Sequence, residues 1–223
     1  MKWNVSKNES GNAIFIILIA IVLFAALGGA ITYSSRSAGG DISKEEARVL
    51  ATEVISYSND LASTVARLRL NGCTPTEMNF ENDFISGYSN GSSPTNETCH
   101  VFRANGGGLK YRDDYDMTFT GSYVITNIGT GETDLILDLR IGRDLCEAIN
   151  DLLGINNSGP EGPPTDKLSA GVKFQGDYTI ASTASSNQRT ENAELVGKSS
   201  GCRTNSGSGS GAIFMYHRIL LAR

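Results

Sequence analysis

An uncharged segment near the start of the chain, residues 13–33, constrains the fold more than any other feature. It reads AIFIILIAIVLFAALGGAITY, and none of its 21 residues carries a charge. A helix of this length would measure about 31 Å at a rise of about 1.5 Å per residue, which matches the roughly 30 Å hydrocarbon thickness of a bilayer. The segment therefore predicts a helix that spans a membrane or packs among helices of the same kind.

Three interpretations of this segment are open. A cleaved secretory signal has an apolar core of about 7–15 residues, with small residues at its cleavage site. Residues 28–30, Gly-Gly-Ala, could mimic such a site, but the apolar run is longer than a signal core. A plain membrane anchor fits the length of the run. The third interpretation depends on the residues that precede the segment.

The residues before the apolar segment form a short basic leader. Residues 1–11, MKWNVSKNESG, carry Lys2 and Lys7 and end in Gly11, just before the apolar run. This pattern resembles the leader of type IV pilins and pseudopilins, and the resemblance implies that a prepilin peptidase cleaves between Gly11 and Asn12. That family usually has Phe or Met first and a Glu early in the mature helix, where this chain has Asn12 and Ile16. Tip-type minor pseudopilins also lack this Glu.

The charges around the apolar segment predict its orientation. Lys2, Lys7 and the amino terminus outweigh Glu9 on the short side, so the positive-inside rule leaves the N-terminus in the cytoplasm. The resemblance to pilins further implies that the segment leaves the inner membrane and packs against identical or homologous subunits in a filament core. The residues assigned to this packing are Ala13, Ile14, Phe15, Ile16, Leu18, Val22, Phe24 and Leu27.

An amphipathic helix is predicted for residues 41–72, after a polar break that ends the apolar region 12–40. Ser43 and Glu46 have the spacing of a capping box. Apolar residues then recur every three or four positions, so one face of the helix is apolar. We interpret this face as packed on a sheet rather than as a coiled-coil seam, because it lacks sustained heptads flanked by complementary charges. The face comprises Ala47, Leu50, Val54, Tyr57, Leu61, Val65 and Leu68.

The remainder, residues 73–223, has the composition of a β-rich globular domain. The chain has 25 Gly, and Ser, Thr and Asn recur through its second half, which favours strands joined by turns. The apolar ending, residues 212–221, predicts a buried last strand. With the resemblance, the predicted fold class is pilin-like α+β: a long N-terminal helix, transmembrane in one half and amphipathic in the other, packed on an antiparallel β-rich C-terminal domain.

Four cysteines, all located after the apolar segment, predict two disulfides. An even number of cysteines on the non-cytoplasmic side is typical of an oxidising compartment. A zinc site is not expected, because no His/Cys cluster has ligand spacing. Four cysteines allow three pairings, and proximity in the sequence favours Cys73 with Cys99 and Cys146 with Cys202. The second loop resembles the disulfide-closed C-terminal region of many pilins.

The sequence contains few groups arranged for chemistry. His100 and His217 lie in apolar contexts typical of structural histidines, and no Gly-x-Ser-x-Gly elbow precedes a helix, so no catalytic set is predicted. Asp113, Asp114 and Asp116 could bind Ca²⁺ through carboxylate oxygens, and some pseudopilins do bind this ion. A solvated turn without metal is the simpler interpretation, and no other cofactor is expected.

Three Asn-x-Ser/Thr motifs fit the pattern of N-glycosylation acceptors. They begin at Asn90, Asn96 and Asn156. Such motifs matter only in a host that uses N-glycosylation, and the prepilin-like leader suggests a bacterium.

Together these features predict a structural subunit of a type IV pilus-like or type II secretion pseudopilus-like filament. The chain would lie in the inner membrane with a periplasmic C-terminal domain, and then in a periplasmic or extracellular filament whose β domain is exposed for adhesion or cargo contact. The alternative is a monomeric, single-pass anchored extracytoplasmic domain that binds a ligand or a protein. An enzyme is the least supported class. The net charge of −5 argues against nucleic acid as a partner.

Overall fold

The structure, a computed structural model, describes residues 43–168, 172–178, 189–205 and 211–223. The chain divides into two units, Met1–Ile42 and Ser43–Arg223, and all described residues belong to the second unit. The predicted leader, residues 1–11, and the predicted apolar helix, residues 12–40, lie outside the described residues.

Helix α1, Lys44–Leu70, opens the described structure. The Ser43 hydroxyl accepts a hydrogen bond from the Glu46 amide at 3.2 Å, so Ser43 caps the first turn as its spacing predicts. Acidic residues in the first turn and basic residues in the last turn complement the helix dipole. Gly72 follows the helix with a φ of 100°, in the left-handed region that glycine adopts most readily.

The predicted fold class is wrong in its principal element. The sequence predicts one long, pilin-like N-terminal helix with a membrane-spanning half, but the described helix begins only at Lys44. No helix of the described residues is long and apolar enough to cross a membrane. Ser43 has extended backbone angles and caps α1, so α1 starts there as a separate element that is apolar on one side alone. The described architecture is two helices packed on a four-stranded antiparallel sheet.

In the part of the chain that the structure describes, four antiparallel strands form one sheet with the order β1-β2-β4-β3. Strand β2 pairs with β4 from Leu135 to Ile141, with a register shift between Leu135 and Ile136. The last strand therefore lies in the interior of the sheet, which confirms the buried position that its apolar sequence predicts. The strands are β1, Asp116–Tyr123; β2, Asp134–Ile141; β3, Ser200–Thr204; and β4, Phe214–Leu221.

Helix α2, Arg143–Leu153, follows β2 and packs with α1 on one face of the sheet. The hydroxyls of Tyr216 on β4 and Ser58 on α1 share a hydrogen bond of 2.7 Å. Cys202, which pairs with Tyr216 in the sheet, forms a disulfide with Cys146 of α2. Directly paired residues point to the same face of a sheet, so both helices cover the face that carries Tyr216.

Aromatic rings pack the irregular segment 78–115 against β1, after a short 3₁₀ helix at Pro75–Glu77. The rings of Phe80 and Phe119 stack with their centroids 4.2 Å apart. Aromatic pairs of this kind contribute about 0.5–1.5 kcal/mol beyond the area that they bury. The cluster thus attaches a long segment with little regular structure to the sheet. Its members are Phe80, Phe84, Tyr88, Phe102, Tyr111, Phe119, Phe174 and Tyr178.

Candidate functional site

The predicted processing and packing residues lie outside the described residues. Gly11 and Asn12 are the residues on either side of the expected cleavage site. Their roles, and those of the filament-core residues, stay predictions. The filament-core residues are Ala13, Ile14, Phe15, Ile16, Leu18, Val22, Phe24 and Leu27.

Two disulfides join the four cysteines in the pairing that sequence proximity favours. The N-terminal disulfide, Cys73–Cys99, has a Cα–Cα distance of 5.7 Å and ties the end of α1 to the aromatic segment. The C-terminal disulfide, Cys146–Cys202, has a Cα–Cα distance of 5.4 Å and ties α2 to β3. The sequence separations are 26 and 56 residues, which correspond to about 3.5 and about 4 kcal/mol from restriction of the unfolded chain.

Asp114, one of the three aspartates considered as Ca²⁺ ligands, forms an ion pair with Arg112. Arg112 donates to both carboxylate oxygens of Asp114, from Nε at 2.8 Å and from Nη2 at 2.6 Å, and these bonds lower the pKa of Asp114. Its Nη1 also donates to Glu53 of α1 at 2.7 Å. Asp113 and Asp116 are exposed. Among the described residues, no group of three His, Cys, Asp or Glu side chains could hold a metal ion. Arg112 instead links this turn to α1.

Both histidines are buried. His217 on β4 donates from Nε2 to the carbonyl oxygen of Lys198 at 3.3 Å, and burial lowers its pKa to about 3. The amide nitrogen of Asn79 donates to Nε2 of His100 at 3.1 Å, and burial also lowers the pKa of His100. Both rings are therefore neutral near pH 7, which is the state of structural histidines.

A buried ion pair crosses the face of the sheet that points away from the helices. Nη2 of Arg203 on β3 donates to Oδ1 of Asp138 on β2 at 2.9 Å, and the two side chains are 0% and 1% exposed. Asp138 pairs directly with His217 on the intervening strand β4. The guanidinium carbon of Arg203 lies 4.7 Å from the ring centroid of Tyr123, a cation–π distance. Three adjacent strands thus place charged and polar groups together without solvent.

An open cavity of about 610 Å³ adjoins the end of β3. Lys167 and Glu191 form an ion pair of 2.8 Å at the cavity. The carboxylate of Asp166 accepts hydrogen bonds from three backbone amides, at 2.8 Å from Lys167 and at 3.2 and 3.3 Å from Glu191 and Asn192. Such a lining supplies hydrogen-bond donors, acceptors and both signs of charge, which suits a polar ligand. The described lining residues are Thr165, Asp166, Lys167, Leu168, Glu191, Asn192 and Asn205.

Tyr123 connects the buried ion pair to the cavity. Its ring lies against Arg203, and its hydroxyl donates to the carbonyl oxygen of Lys167 at 2.9 Å. Burial raises the pKa of Tyr123 to about 12, so the hydroxyl keeps its proton at neutral pH. The backbone amide of Asp166 donates to the carbonyl oxygen of Thr204 at 2.9 Å. The cavity is therefore attached to the β3 edge of the sheet through backbone and side-chain hydrogen bonds.

Sequence reasoning missed Arg203 and the cavity. One signal for the ion pair was present, because Asp138 interrupts an apolar strand and a buried carboxylate needs a partner. The chain has 19 Lys and Arg residues, and the sequence does not distinguish Arg203 among them. No comparable signal marks the cavity, whose described lining comes from three separate segments.

Comparisons with known proteins identify no relative of this chain. No family model matches it, and neither a curated protein nor a solved structure gives a significant match. The functional interpretation therefore depends on the residues and geometry of the chain itself.

Proposed function

We propose that this chain is a subunit of a type IV pilus-like or secretion pseudopilus-like filament. Residues 13–33 insert into the inner membrane, and a prepilin peptidase removes residues 1–11. The apolar segments of identical or homologous subunits then associate to form the filament. The unit Ser43–Arg223 faces outward and contacts surfaces or secreted cargo.

The observation that carries this proposal is the pairing of all four cysteines within the unit that follows the apolar segment. Structural disulfides form and persist in oxidising compartments. The basic leader, residues 1–11, belongs on the cytoplasmic side of a membrane by the positive-inside rule. A cytoplasmic leader and a disulfide-bonded unit in an oxidising compartment require the chain to cross the inner membrane once. The position of Gly11 at the end of the leader supports processing and assembly by the pilin route.

The cavity beside β3 favours a second candidate, a monomeric anchored domain that binds a polar ligand. Its volume of about 610 Å³ falls in the range of small-molecule sites. The ion pair between Lys167 and Glu191 gives the cavity both signs of charge, which can orient a polar molecule. In this case residues 1–11 stay attached, and the chain is monomeric after extraction with detergent.

The first experiment determines the intact mass and N-terminal sequence of the chain extracted from the membranes of its native cell. Loss of residues 1–11, with Asn12 as the new terminus, supports prepilin processing. A retained Met1 contradicts the usual pilin route and favours the anchored domain, unless filaments are nevertheless seen. A cut near Ala30 contradicts both candidates and indicates a secreted soluble protein.

Two leader variants connect processing to assembly. Gly11→Val is expected to retain the leader and to abolish filaments that shear from the cell surface and are visible by electron microscopy. The neighbouring variant Ser10→Ala is the matched control and is expected to be processed and assembled normally. Filaments of uncleaved Gly11→Val chains contradict the role of processing. Fully processed Ser10→Ala and wild-type chains that form no filaments contradict the filament proposal.

A further inference from the structure

The structure separates three asparagine motifs that are equivalent in the sequence. Each Asn-x-Ser/Thr motif could accept an N-linked glycan, and the reaction occurs at the side-chain amide nitrogen. That nitrogen must be accessible to an enzyme and free of strong competing hydrogen bonds. The three motifs, at Asn90, Asn96 and Asn156, differ in both respects.

Asn90 is a structural residue in the folded chain. The residue is buried, with 6% of its surface exposed. The amide nitrogen donates to the carbonyl oxygens of Thr76 at 2.7 Å and Met78 at 2.8 Å, and the side-chain oxygen accepts from the amide of Ser92. A glycan at Asn90 would require these contacts to break, so the folded domain blocks this motif.

Asn156 is exposed, but its amide nitrogen is engaged by a carboxylate. Nδ2 donates to both oxygens of Glu194, at 3.2 and 3.3 Å. Hydrogen bonds to a charged acceptor are stronger than those between neutral groups. Modification of Asn156 would remove this link between the end of α2 and the segment before β3, so this motif is disfavoured in the folded state.

Asn96 combines exposure with a free amide nitrogen. Its side-chain oxygen accepts a hydrogen bond of 2.9 Å from the hydroxyl of Thr98, the third residue of the motif. Among the described residues, Nδ2 of Asn96 makes no hydrogen bond, and both Asn96 and Thr98 are exposed. The motif therefore presents its reactive nitrogen to solvent while its hydroxyl holds the amide oxygen.

The chain around Asn96 holds the motif in a tight turn. The amide of Glu97 donates to the carbonyl oxygen of Pro94 at 3.1 Å, and Glu97 has a positive φ of 61°. The next residue after the motif, Cys99, is anchored by the N-terminal disulfide. The turn is thus fixed at its base and open at its tip, which is the arrangement of an accessible modification site.

We infer that Asn96, rather than Asn90 or Asn156, is the acceptor of an N-linked glycan wherever the folded chain meets an oligosaccharyltransferase that recognises Asn-x-Ser/Thr. The donor class is a lipid-pyrophosphate-linked oligosaccharide. Nδ2 of Asn96 attacks C1 of the first sugar, and the N–C1 bond forms as the C1–O bond to pyrophosphate breaks. The lipid pyrophosphate leaves with the electron pair, and the amide proton passes to a base of the transferring enzyme. This inference rests on the extracytoplasmic placement in the proposed function, because such transfer occurs on that side of a membrane.

The test uses the full-length, disulfide-bonded chain in detergent with a purified oligosaccharyltransferase that accepts Asn-x-Ser/Thr, its lipid-linked donor and a peptide substrate as positive control. The folded chain is expected to gain one glycan by intact mass. Enzymatic release of the glycan converts the acceptor Asn to Asp, which tandem mass spectrometry identifies at Asn96. Asn96→Gln and Thr98→Ala should lose the modification, whereas Thr98→Ser should retain it. Asn156→Gln, a substitution at another exposed motif, should retain it as well.

The same reaction is then carried out on the reduced and unfolded chain. This chain is expected to accept glycans at Asn90 or Asn156 in addition to Asn96, because the blocking contacts are gone. A glycan on the folded chain at Asn90 or Asn156 instead of Asn96 overturns the inference, as does a chain unmodified at Asn96 in both states while the peptide reacts. Modification of Asn96 only after unfolding also overturns it. Leader processing plays no part in this assay. A failure of the Asn96 inference can therefore be distinguished from a failure of the filament proposal.

Discussion

Replacement of one partner of the buried Arg203–Asp138 ion pair should destabilise the domain strongly. The two charged atoms are 2.9 Å apart, so their attraction is about 6 kcal/mol at an effective dielectric constant of about 20. Arg203→Met leaves the carboxylate of Asp138 buried without its partner. This variant is expected to lower the free energy of unfolding by about 3–5 kcal/mol, and Asp138→Leu is expected to have a loss of similar size.

Replacement of both partners should restore most of this stability. The double variant removes two desolvated charges together, an exchange that is often neutral or stabilising. Among the described residues, three polar atoms of the pair have no hydrogen-bond partner: Nε and Nη1 of Arg203 and Oδ2 of Asp138. The contacts of the pair therefore offset only part of the free energy that its removal from water costs. Loss of the cation–π contact with Tyr123 subtracts about 1–2 kcal/mol. The double variant is therefore expected within about 2 kcal/mol of the wild type.

The assay is urea unfolding of the oxidised full-length chain in mild detergent, with the near-ultraviolet circular dichroism of the tyrosines as the signal. Arg140→Met is the matched control, because Arg140 is an exposed arginine on the same strand as Asp138 and should change stability by less than about 0.5 kcal/mol. The reasoning is refuted if each single variant loses less than about 1 kcal/mol. It is also refuted if the double variant loses the sum of the two single losses.

Three further predictions concern the disulfides, pH and calcium. Replacing both Cys146 and Cys202 with Ser should lower the free energy of unfolding by about 4 kcal/mol, and a loss smaller than that for the N-terminal disulfide contradicts the loop-length argument. Burial raises the pKa of Asp134 to about 6 and lowers that of His217 to about 3. Between about pH 4 and 6 the folded state keeps a proton on Asp134 that the unfolded chain releases, and it lacks a proton on His217 that the unfolded chain binds. Over this pH range, the free energy of unfolding in urea should therefore rise more steeply with pH in Asp134→Asn than in the wild type, and less steeply in His217→Gln. Slopes equal to that of the wild type would contradict these two pKa directions. Calcium at millimolar concentration should leave the melting temperature unchanged relative to a chelator control, because Arg112 occupies a carboxylate of the candidate site, and a reproducible rise would reinstate that site.

Helix α1 shows how far a local pattern predicts a buried face. Five of the seven predicted positions are buried, but Tyr57 is only partly buried and donates its hydroxyl to the carbonyl oxygen of Lys110. Ser58 is fully buried in its place and bonds to Tyr216. Helical spacing predicts the direction in which a side chain points. Burial of Ser58 also requires a hydrogen-bond partner, which is the hydroxyl of Tyr216 on a strand far along the chain.

Strand predictions succeeded where the apolar run is long and both neighbours are strands. The predicted last strand at 212–221 corresponds closely to β4, and the apolar run at residues 135–141 forms most of β2. Residues 172–178 form no strand, although the backbone amide of Phe174 donates a hydrogen bond to the carbonyl oxygen of Phe119. A strand needs a partner with matching register, and a sequence segment alone does not specify one.

Features that depend on neighbouring residues could be predicted from the amino-acid sequence alone. These are the uncharged segment 13–33, the capped amphipathic helix, the apolar last strand and the even set of cysteines. The folded structure was needed to show that α1 starts as a separate element at Lys44, that Arg203 pairs with Asp138, and that Asn96, unlike Asn90 and Asn156, presents a free amide. Arg203 and Asp138 are 65 residues apart in the chain. Contacts at such separations depend on the order of the strands in the sheet, which composition and periodicity do not encode.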